Sequence, residues 1–300
     1  MSRARPQIPG VEPDMWSVQR RNRAAALLGR LRHAPITGKL GLIVILFYVF
    51  VAVFAPLLAP FGEAEAASAE PFATWEAPFF LGTDQLGRDV LSRMLFGARN
   101  SIGIAFATTL LAFMVGVILG ILSAIGPRWL DYVLSSLADA LMSLPQLIFA
   151  LIMLVLFGSS VISIILIIAL LNATQIYRLA RSSARNVAVM EFIEAAELRG
   201  EGLFWIITRE ILPNILPILL AEFGLRFCFV FLTISALSFL GLGIQPPAAD
   251  WGAMVRENAS FISYGDITPL IPASAIAFLT LSVNFVVDWV LDIASGLHDE

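Results

Sequence analysis

Five charged side chains stand inside or next to long apolar stretches of the sequence. Glu222 and Arg226 are four residues apart, so on a helix they share one face and can form an ion pair. The others are Asp139, Asp288 and Asp292. A charge at membrane depth is costly unless it is paired or faces water, so such residues often mark a route for polar solutes. Two interpretations of Glu222 and Arg226 stay open: they line a path for a charged or peptide-like solute, or they are a structural pair that satisfies itself.

Isolated carboxylates at membrane depth also permit other chemistry. A proton or sodium site at Glu222, Asp139 or Asp288 would make the chain a secondary transporter driven by an ion gradient. An intramembrane hydrolase would need two carboxylates at one depth, and only Asp139 and Asp288 could be proposed for that role. Of these alternatives we retain the secondary transporter, and we treat Glu222, Arg226 and Asp139 as candidate residues of a translocation path.

The sequence lacks the motifs of an enzyme. Its single lysine, Lys39, is not part of a Gly-x-x-x-x-Gly-Lys-Ser/Thr phosphate loop. Neither a Gly-x-Ser-x-Gly nor a His-Glu-x-x-His motif is present. The two histidines, His33 and His298, lie near the ends of the chain, and the sequence contains no cluster of metal ligands. We therefore expect no catalytic residue, no bound metal and no cofactor, and any ATP would be hydrolysed by another chain.

A charged, helix-compatible loop separates two apolar stretches at residues 191–213. Its centre is Glu194-Ala195-Ala196, and small side chains there let another surface approach the backbone. Gly200 is placed to end the helix and turn the chain. The plain alternative is a solvated helical loop. However, Glu197 and Glu201 repel each other at helical spacing, so helix stability alone does not account for the composition.

The elements that would hold these groups are apolar helices. Hydrophobic residues make up 58% of the 300 residues, charged residues only 14%, and the mean hydropathy is +0.85; a soluble domain is about 25% charged. Six stretches reach the roughly 20 residues that one bilayer crossing needs. They are Leu40–Ala59, Ser101–Ile125, Tyr132–Phe157, Val161–Ala180, Asn214–Leu242 and Pro269–Ile293. The fold class expected is all-α, a polytopic membrane protein with six transmembrane helices in residues 40–293.

Arginine placement predicts the orientation. Arginines are concentrated before the first apolar stretch and again between the fourth and the fifth. The positive-inside rule puts both regions in the cytoplasm. Three regions are then cytoplasmic: the N-terminal segment 1–39, which is predicted to be partly disordered, the loop 181–212 and the tail 294–300. Residues 60–100 and 243–268 face outward.

A second block of polar and glycine residues, 80–101, precedes the second apolar stretch. Thr83 or Asp84 can cap a helix there, and Asp89, Arg88 and Arg93 can pair at helical spacing. Further blocks with a similar mixture of residues are Ser235-Ala-Leu-Ser-Phe-Leu-Gly-Leu-Gly-Ile-Gln-Pro-Pro247, Asp250-Trp-Gly-Ala-Met254 and Asn284-Phe-Val-Val-Asp-Trp-Val-Leu-Asp292.

These motifs together resemble one family. The loop at 191–213 is similar to the EAA loop of ATP-binding-cassette import permeases, in which a short cytoplasmic helix docks into a cleft on the ATPase subunit. The other blocks resemble the second, C-type permease of the peptide, opine and nickel importers. The sequence departs from the loop pattern at Gly200-Glu201-Gly202 and at Glu210, where the family usually has Gly-Ala-Ser and His. The coupling residues that the resemblance implies are Glu191, Phe192, Glu194, Ala195, Ala196, Leu198, Gly200, Leu212 and Pro213.

The resemblance implies a permease subunit of an ATP-driven, binding-protein-dependent importer for peptides or related small solutes. The protein would lie in the bacterial cytoplasmic (inner) membrane as a multi-pass subunit. Its implied partners are a second homologous permease, two ATP-binding-cassette ATPase subunits, an outer solute-binding protein and membrane lipid, but no nucleic acid. ATP would be used by the partner subunits. Dipeptides, oligopeptides, opines, metal chelates and sugars all stay open as the solute.

Overall fold

Long helices make up most of the molecule. The computed structural model describes residues 35–68, 72, 75 and 77–295, so the disorder predicted for segment 1–39 falls almost wholly outside the described residues, as does most of the tail 294–300. The helices are α1 (Ile36–Leu58), α2 (Val90–Ile125), α3 (Arg128–Met142), α4 (Gln146–Phe157), α5 (Val161–Ala188), α6 (Glu191–Leu198), α7 (Leu203–Phe239), α8 (Trp251–Asn258) and α9 (Leu270–Ser295). Within the described residues, α1, α2, α5, α7 and α9 are each long and apolar enough to cross a membrane.

Helices α2 and α5 pack side by side and run in the same direction. A Cβ at Gly116 would lie 2.8 Å from the Ala173 carbonyl oxygen, and one at Gly120 would lie 2.7 Å from that of Tyr177. The residue numbers of the contacting positions increase together along both helices, so the two helices are parallel. Only glycine allows the backbones to approach this closely, as is usual where membrane helices pack.

The chain must therefore cross back between α2 and α5, and the pair α3–α4 provides that crossing. The prediction of one continuous span over Tyr132–Phe157 was wrong, because α3 and α4 meet at an angle of 90°. Pro145 stands at the break. A proline has no N–H to donate, and its ring disfavours helical geometry in the residue before it. With the broken pair counted as one crossing, the described residues contain the six crossings that were expected.

The remaining long helices fix which ends lie together. Gly38 on α1 lies against Trp289 near the end of α9, and Gly41 lies against Ser282, so α1 and α9 are antiparallel. Residues 36 and 295 are consequently at the same end of the bundle as α6, and we call this end the α6 face. The opposite end is the cap, formed by residues 59–68, 77–93 and 240–269.

Two helices begin about three turns before their predicted spans. Helix α2 starts at Val90 because Asp89 accepts a hydrogen bond from the Ser92 amide at 2.8 Å and so caps it. The prediction that Thr83 or Asp84 is the cap was wrong. Helix α7 starts at Leu203 and contains a π-helical turn at Ile206–Ile211. This wider turn ends two residues before Pro213, which cannot donate to the helix ladder.

The cap is held by a cluster of buried charges. Asp84 accepts from Arg88 Nε at 2.7 Å and lies 3.4 Å from Arg93 Nε, and both arginines reach Glu257 of α8. The prediction that Asp89 pairs with Arg88 and Arg93 at helical spacing was wrong, because Asp89 caps α2 and both arginines pair with other carboxylates. Asp250, which caps α8, is also buried, and burial raises the pKa of its carboxyl group.

Candidate functional site

Helix α6 is a short helix outside the bundle of crossings. It ends in a Schellman motif: the Gly200 amide donates to the Glu197 carbonyl and the Glu201 amide donates to the Ala196 carbonyl. Gly200 has a φ of +79°, which confirms its predicted role of ending the helix and turning the chain. The turn directs the chain into α7, so α6 is connected at both ends to long helices by short links.

The two alanines of α6 face different surroundings. Ile193 and Ala196 are buried, and they pack with Ile206 and Ile211 of the π-helical turn. Ala195 lies on the exposed side. Ala196 therefore brings α6 close to its own chain, and Ala195 alone of the two offers a small residue to a partner.

The exposed side of α6 carries both charge and apolar surface. Four of the residues that the resemblance implied, Glu191, Phe192, Glu194 and Leu198, lie there, and Leu198 is 83% exposed. Of the residues implied at the start of α7, Leu212 is half-buried and Pro213 is exposed.

Sequence reasoning missed a group of apolar residues that flank α6. Val189 and Phe204 are 81% and 80% exposed, and Met190 and Leu203 are also exposed. Their signal in the sequence was the presence of large apolar side chains in a stretch assigned to a polar loop. They enlarge the exposed surface of α6 on both sides, and an exposed apolar patch of this kind is typical of an interaction surface.

A second cluster, the Asp131 hub, lies next to this surface and was not predicted. Asp131 at the start of α3 accepts from Arg181 Nη2 at 2.8 Å and from Arg185 Nη2 at 3.0 Å, both on the last turns of α5. Arg181 Nε also donates to it. Ser123 Oγ of α2 donates to Asp131 at 2.7 Å and contacts the Tyr177 hydroxyl at 2.8 Å. The hub therefore ties together the ends of α2, α3 and α5.

A stripe of two polar residues on α5, Gln175 and Arg178, contacts charged residues of α7 and α3. Arg226 donates to Glu222 on its own helix and to Gln175 on α5, so the predicted pairing of Glu222 with Arg226 is confirmed. Arg178, one turn beyond Gln175, lies 3.5 Å from Asp139 of α3.

The stripe differs in exposure from one end to the other. The side chains of Glu222 and Arg226 are mostly buried, whereas those of Asp139 and Arg178 are more than half exposed. In the described part of the chain Asp139 pairs with Arg178, and Asp288 lies on a different helix, α9. The structure thus brings Glu222 and Arg226 together, whereas the ion pair of Asp139 is with Arg178, three residues along α5 from the Gln175 that Arg226 contacts.

A six-crossing helical bundle with a polar stripe through it and a short helix outside it defines a class, the membrane subunit of a transport system. Residues 116–295 match the model of the family described as the binding-protein-dependent transport system inner membrane component. The chain belongs to this family, and it is a multi-pass permease component of the bacterial inner membrane.

Several relatives carry names from peptide transport. The chain is 33% identical to a dipeptide transport system permease of Alkalihalophilus pseudofirmus, over 84% of this chain and 83% of the relative. It is 31% identical to a di/tripeptide transport system permease of Pseudomonas aeruginosa, over 84% of this chain and 85% of the relative. It is also 31% identical to a glutathione transport system permease of Pectobacterium atrosepticum, over 71% of each.

A solved structure supports the fold. The inward-facing MetNI methionine ABC transporter contains a chain that superposes with a TM-score of 0.56 at 18% identity, covering 68% of this chain and 95% of that one. At this identity the likeness speaks for the fold alone. Family membership and fold together do not favour the ion-gradient-driven secondary transporter.

Proposed function

We propose that this permease imports peptides or related small solutes and that α6 is the coupling helix through which ATPase subunits drive it. The observation that carries the proposal is the form of α6, a short helix outside the bundle with one side buried against its own chain and the other exposed. Peptide transport is supported by the names of the relatives, which refer to dipeptides, tripeptides, peptides and glutathione.

In this proposal the α6 face is cytoplasmic and the cap faces outward. The arginines of the α6 face, among them Arg178, Arg181, Arg185, Arg199 and Arg209, support this orientation by the positive-inside rule. A second homologous permease completes the path, two ATPase subunits bind at the α6 face, and a solute-binding protein delivers solute to the cap. This chain holds no cofactor and no ATPase site, and ATP is hydrolysed by the partner subunits.

The Asp131 hub gives a route by which movement of α6 reaches the path. Helix α6 follows α5 after two residues, and the last turns of α5 carry Arg181 and Arg185. A displacement of α6 therefore pulls on Asp131 and on the broken crossing α3–α4. ATP shifts the equilibrium between inward-open and outward-open states only if the contacts of α6 with the ATPase differ between those states.

The polar stripe on α5 is the proposed path. Asp139 and Arg178 are exposed on the isolated chain, as expected for groups that face a water-filled space between two permeases. Glu222 and Arg226 continue this stripe inward from the α6 face. A peptide carries an ammonium and a carboxylate at its ends, and a stripe with both signs of charge can compensate either one.

The coupling proposal is tested by purifying the tagged complex from native membranes in mild detergent. Glu194→Arg and Leu198→Asp change exposed side chains, so the chain should fold and insert normally while the ATPase subunits are lost from the purified complex. Glu65→Arg, an exposed charge reversal in the cap, is the matched control and should retain them. Retention of the ATPase by both α6 variants, or peptide uptake without ATP by the chain alone, would overturn the proposal.

The path proposal needs a separate variant. Replacing Glu222 by Leu and Arg226 by Met together removes the charges without leaving one of them unpaired. We expect an assembled complex that binds and hydrolyses ATP but imports a dipeptide at least tenfold more slowly. Unchanged import by the double variant would leave the pair as a structural contact only.

A further inference from the structure

An apolar groove opens on the side of the bundle between α1, α2, α7 and α9. Its volume is about 670 Å³, within the range of pockets that hold small ligands. The walls consist of aliphatic and aromatic side chains and glycine, with Tyr48 and Arg99 as the two polar exceptions. Val53 and Phe106 at its edges are exposed. The groove is thus open at the surface of the bundle, and buried residues such as Phe227 and Leu279 form its floor.

Arg99 marks one end of this groove. Among the described residues no carboxylate lies within ion-pair distance of its guanidinium, and the side chain is exposed. The two neighbouring arginines differ from Arg99. Arg88, in the segment before α2, and Arg93, in the first turn of α2, both belong to the buried cluster of the cap. Arg99 is therefore an exposed cation beside an apolar groove, and within the described residues it is available to pair with an anion.

The position of Arg99 along the bundle is that of a lipid headgroup. The next residues, Asn100 and Ser101, bond to Ala249 and Asp250 of the cap, so Arg99 lies where the bundle meets the cap. From there the groove follows α2 to Phe106, seven residues away, which is about 10 Å of helical rise toward the middle of the membrane. At that end of the groove the rings of Phe106 and Phe223 are in edge-to-face contact.

We propose that this groove binds one anionic phospholipid, with its phosphate on Arg99 and an acyl chain between α1 and α2. Water is a poor occupant because the walls offer it almost no hydrogen-bond partner. An empty groove would forfeit van der Waals contacts on all four helices. A phospholipid fits both the charged end and the apolar walls of the groove. Its phosphate pairs with the guanidinium, and its acyl chain is as apolar as the walls.

Gly103 makes the proposal testable without disturbing the fold. It lines the groove, and a Cβ added there would meet no atom within 4 Å. Gly103→Leu therefore fills the groove with its own side chain, and leucine is also a better helix former than glycine. Arg99→Gln removes the charge and leaves the groove open. The two variants separate the acyl-chain contact from the headgroup contact.

The experiment is native mass spectrometry of the complete, delipidated complex titrated with phosphatidylglycerol and, in parallel, with phosphatidylcholine. The unaltered complex should take up one phosphatidylglycerol at this site. Arg99→Gln should weaken phosphatidylglycerol at least tenfold and abolish its advantage over phosphatidylcholine. Gly103→Leu should abolish the binding of both lipids.

Two control variants match these changes outside the groove. Arg128→Gln removes an exposed cation from the α6 face, and Ala140→Leu adds an apolar side chain to the exposed side of α3. Both should bind lipid as the unaltered complex does. Unchanged binding in Arg99→Gln and Gly103→Leu would overturn the proposal. An efficient cross-link from the Val53→Cys variant to the second permease in native membranes would also overturn it, because a protein segment would then occupy the groove.

Discussion

The two ends of the molecule use ion pairs in different ways. At the cap, the side chains of Asp84 and Arg93 are each 2% exposed, and Glu257 is 10% exposed. At the α6 face, the side chain of Asp131 is 19% exposed and that of Arg185 is 50% exposed. Both clusters join separate helices by two arginines on shared carboxylates, so the difference between them lies in access to water.

This difference indicates which end is rigid and which end can move. Separating charges in a dry cluster leaves each one unpaired in a medium that does not solvate it, whereas separated charges at a wet surface are taken up by water. The cap should therefore behave as one fixed body, while the Asp131 hub can open and close at small cost. A permease that alternates between two openings needs both properties, and in the proposed orientation the movable end is the one that meets the ATPase.

Breaking the cap should have the largest effect on stability. Arg93→Ala leaves Asp84 and Glu257 with a single arginine between them, and removing one partner of a buried ion cluster costs about 3–5 kcal/mol. We expect a marked fall in the thermal unfolding temperature of the purified complex, or failure to assemble. Arg128→Ala removes an exposed arginine at the α6 face and should change it little. Similar unfolding temperatures for the two variants would contradict the description of the cap as a dry, fixed cluster.

A smaller effect is expected on α6, where neighbouring alanines give a matched pair. Ala196→Leu forces a larger side chain into the contact with Ile206 and Ile211, and overpacking of this kind costs about 1–3 kcal/mol. Ala195→Leu adds the same atoms to the exposed side and should leave the stability of the permease unchanged. It should instead weaken the association with the ATPase, measured by co-purification. Equal destabilisation by both would show that α6 does not have one inward and one outward side.

Much of this fold follows from the sequence, and the errors have physical causes. The apolar stretches were long enough to predict six crossings, because hydropathy over about 20 residues depends little on tertiary contacts. The 90° break between α3 and α4 was missed, although Pro145 was visible, since many membrane helices contain a proline and continue. Pro217 is such a case, as it lies inside α7 without interrupting it.

The candidate site was predictable only where the contacts are local in sequence. Glu222 and Arg226 are four residues apart, and their pairing could be expected from helix geometry. Asp131 and Arg181 are 50 residues apart, and their contact depends on the parallel packing of α2 with α5. The repeat Arg181–Arg185 at helical spacing was a signal of one positive face, but nothing in the sequence specified its partner. The division between Ala195 and Ala196 likewise depends on where the π-helical turn lies.

The smallest effect on stability, and the most specific effect on transport, is expected from Asp131→Asn. The asparagine keeps the size of the side chain and can still accept from Ser123, but it removes the charge that holds Arg181 and Arg185. Because the cluster is partly exposed, the change in the free energy of unfolding should be about 0.2–1 kcal/mol, as for ion pairs near a surface. In reconstituted vesicles we expect ATP hydrolysis close to that of the unaltered complex and dipeptide import lowered at least fivefold.

Asp131→Glu retains the charge and should recover part of the import. Equal losses of hydrolysis and import would instead assign Asp131 a purely structural part. That outcome would remove the proposed contrast between a fixed cap and a movable α6 face.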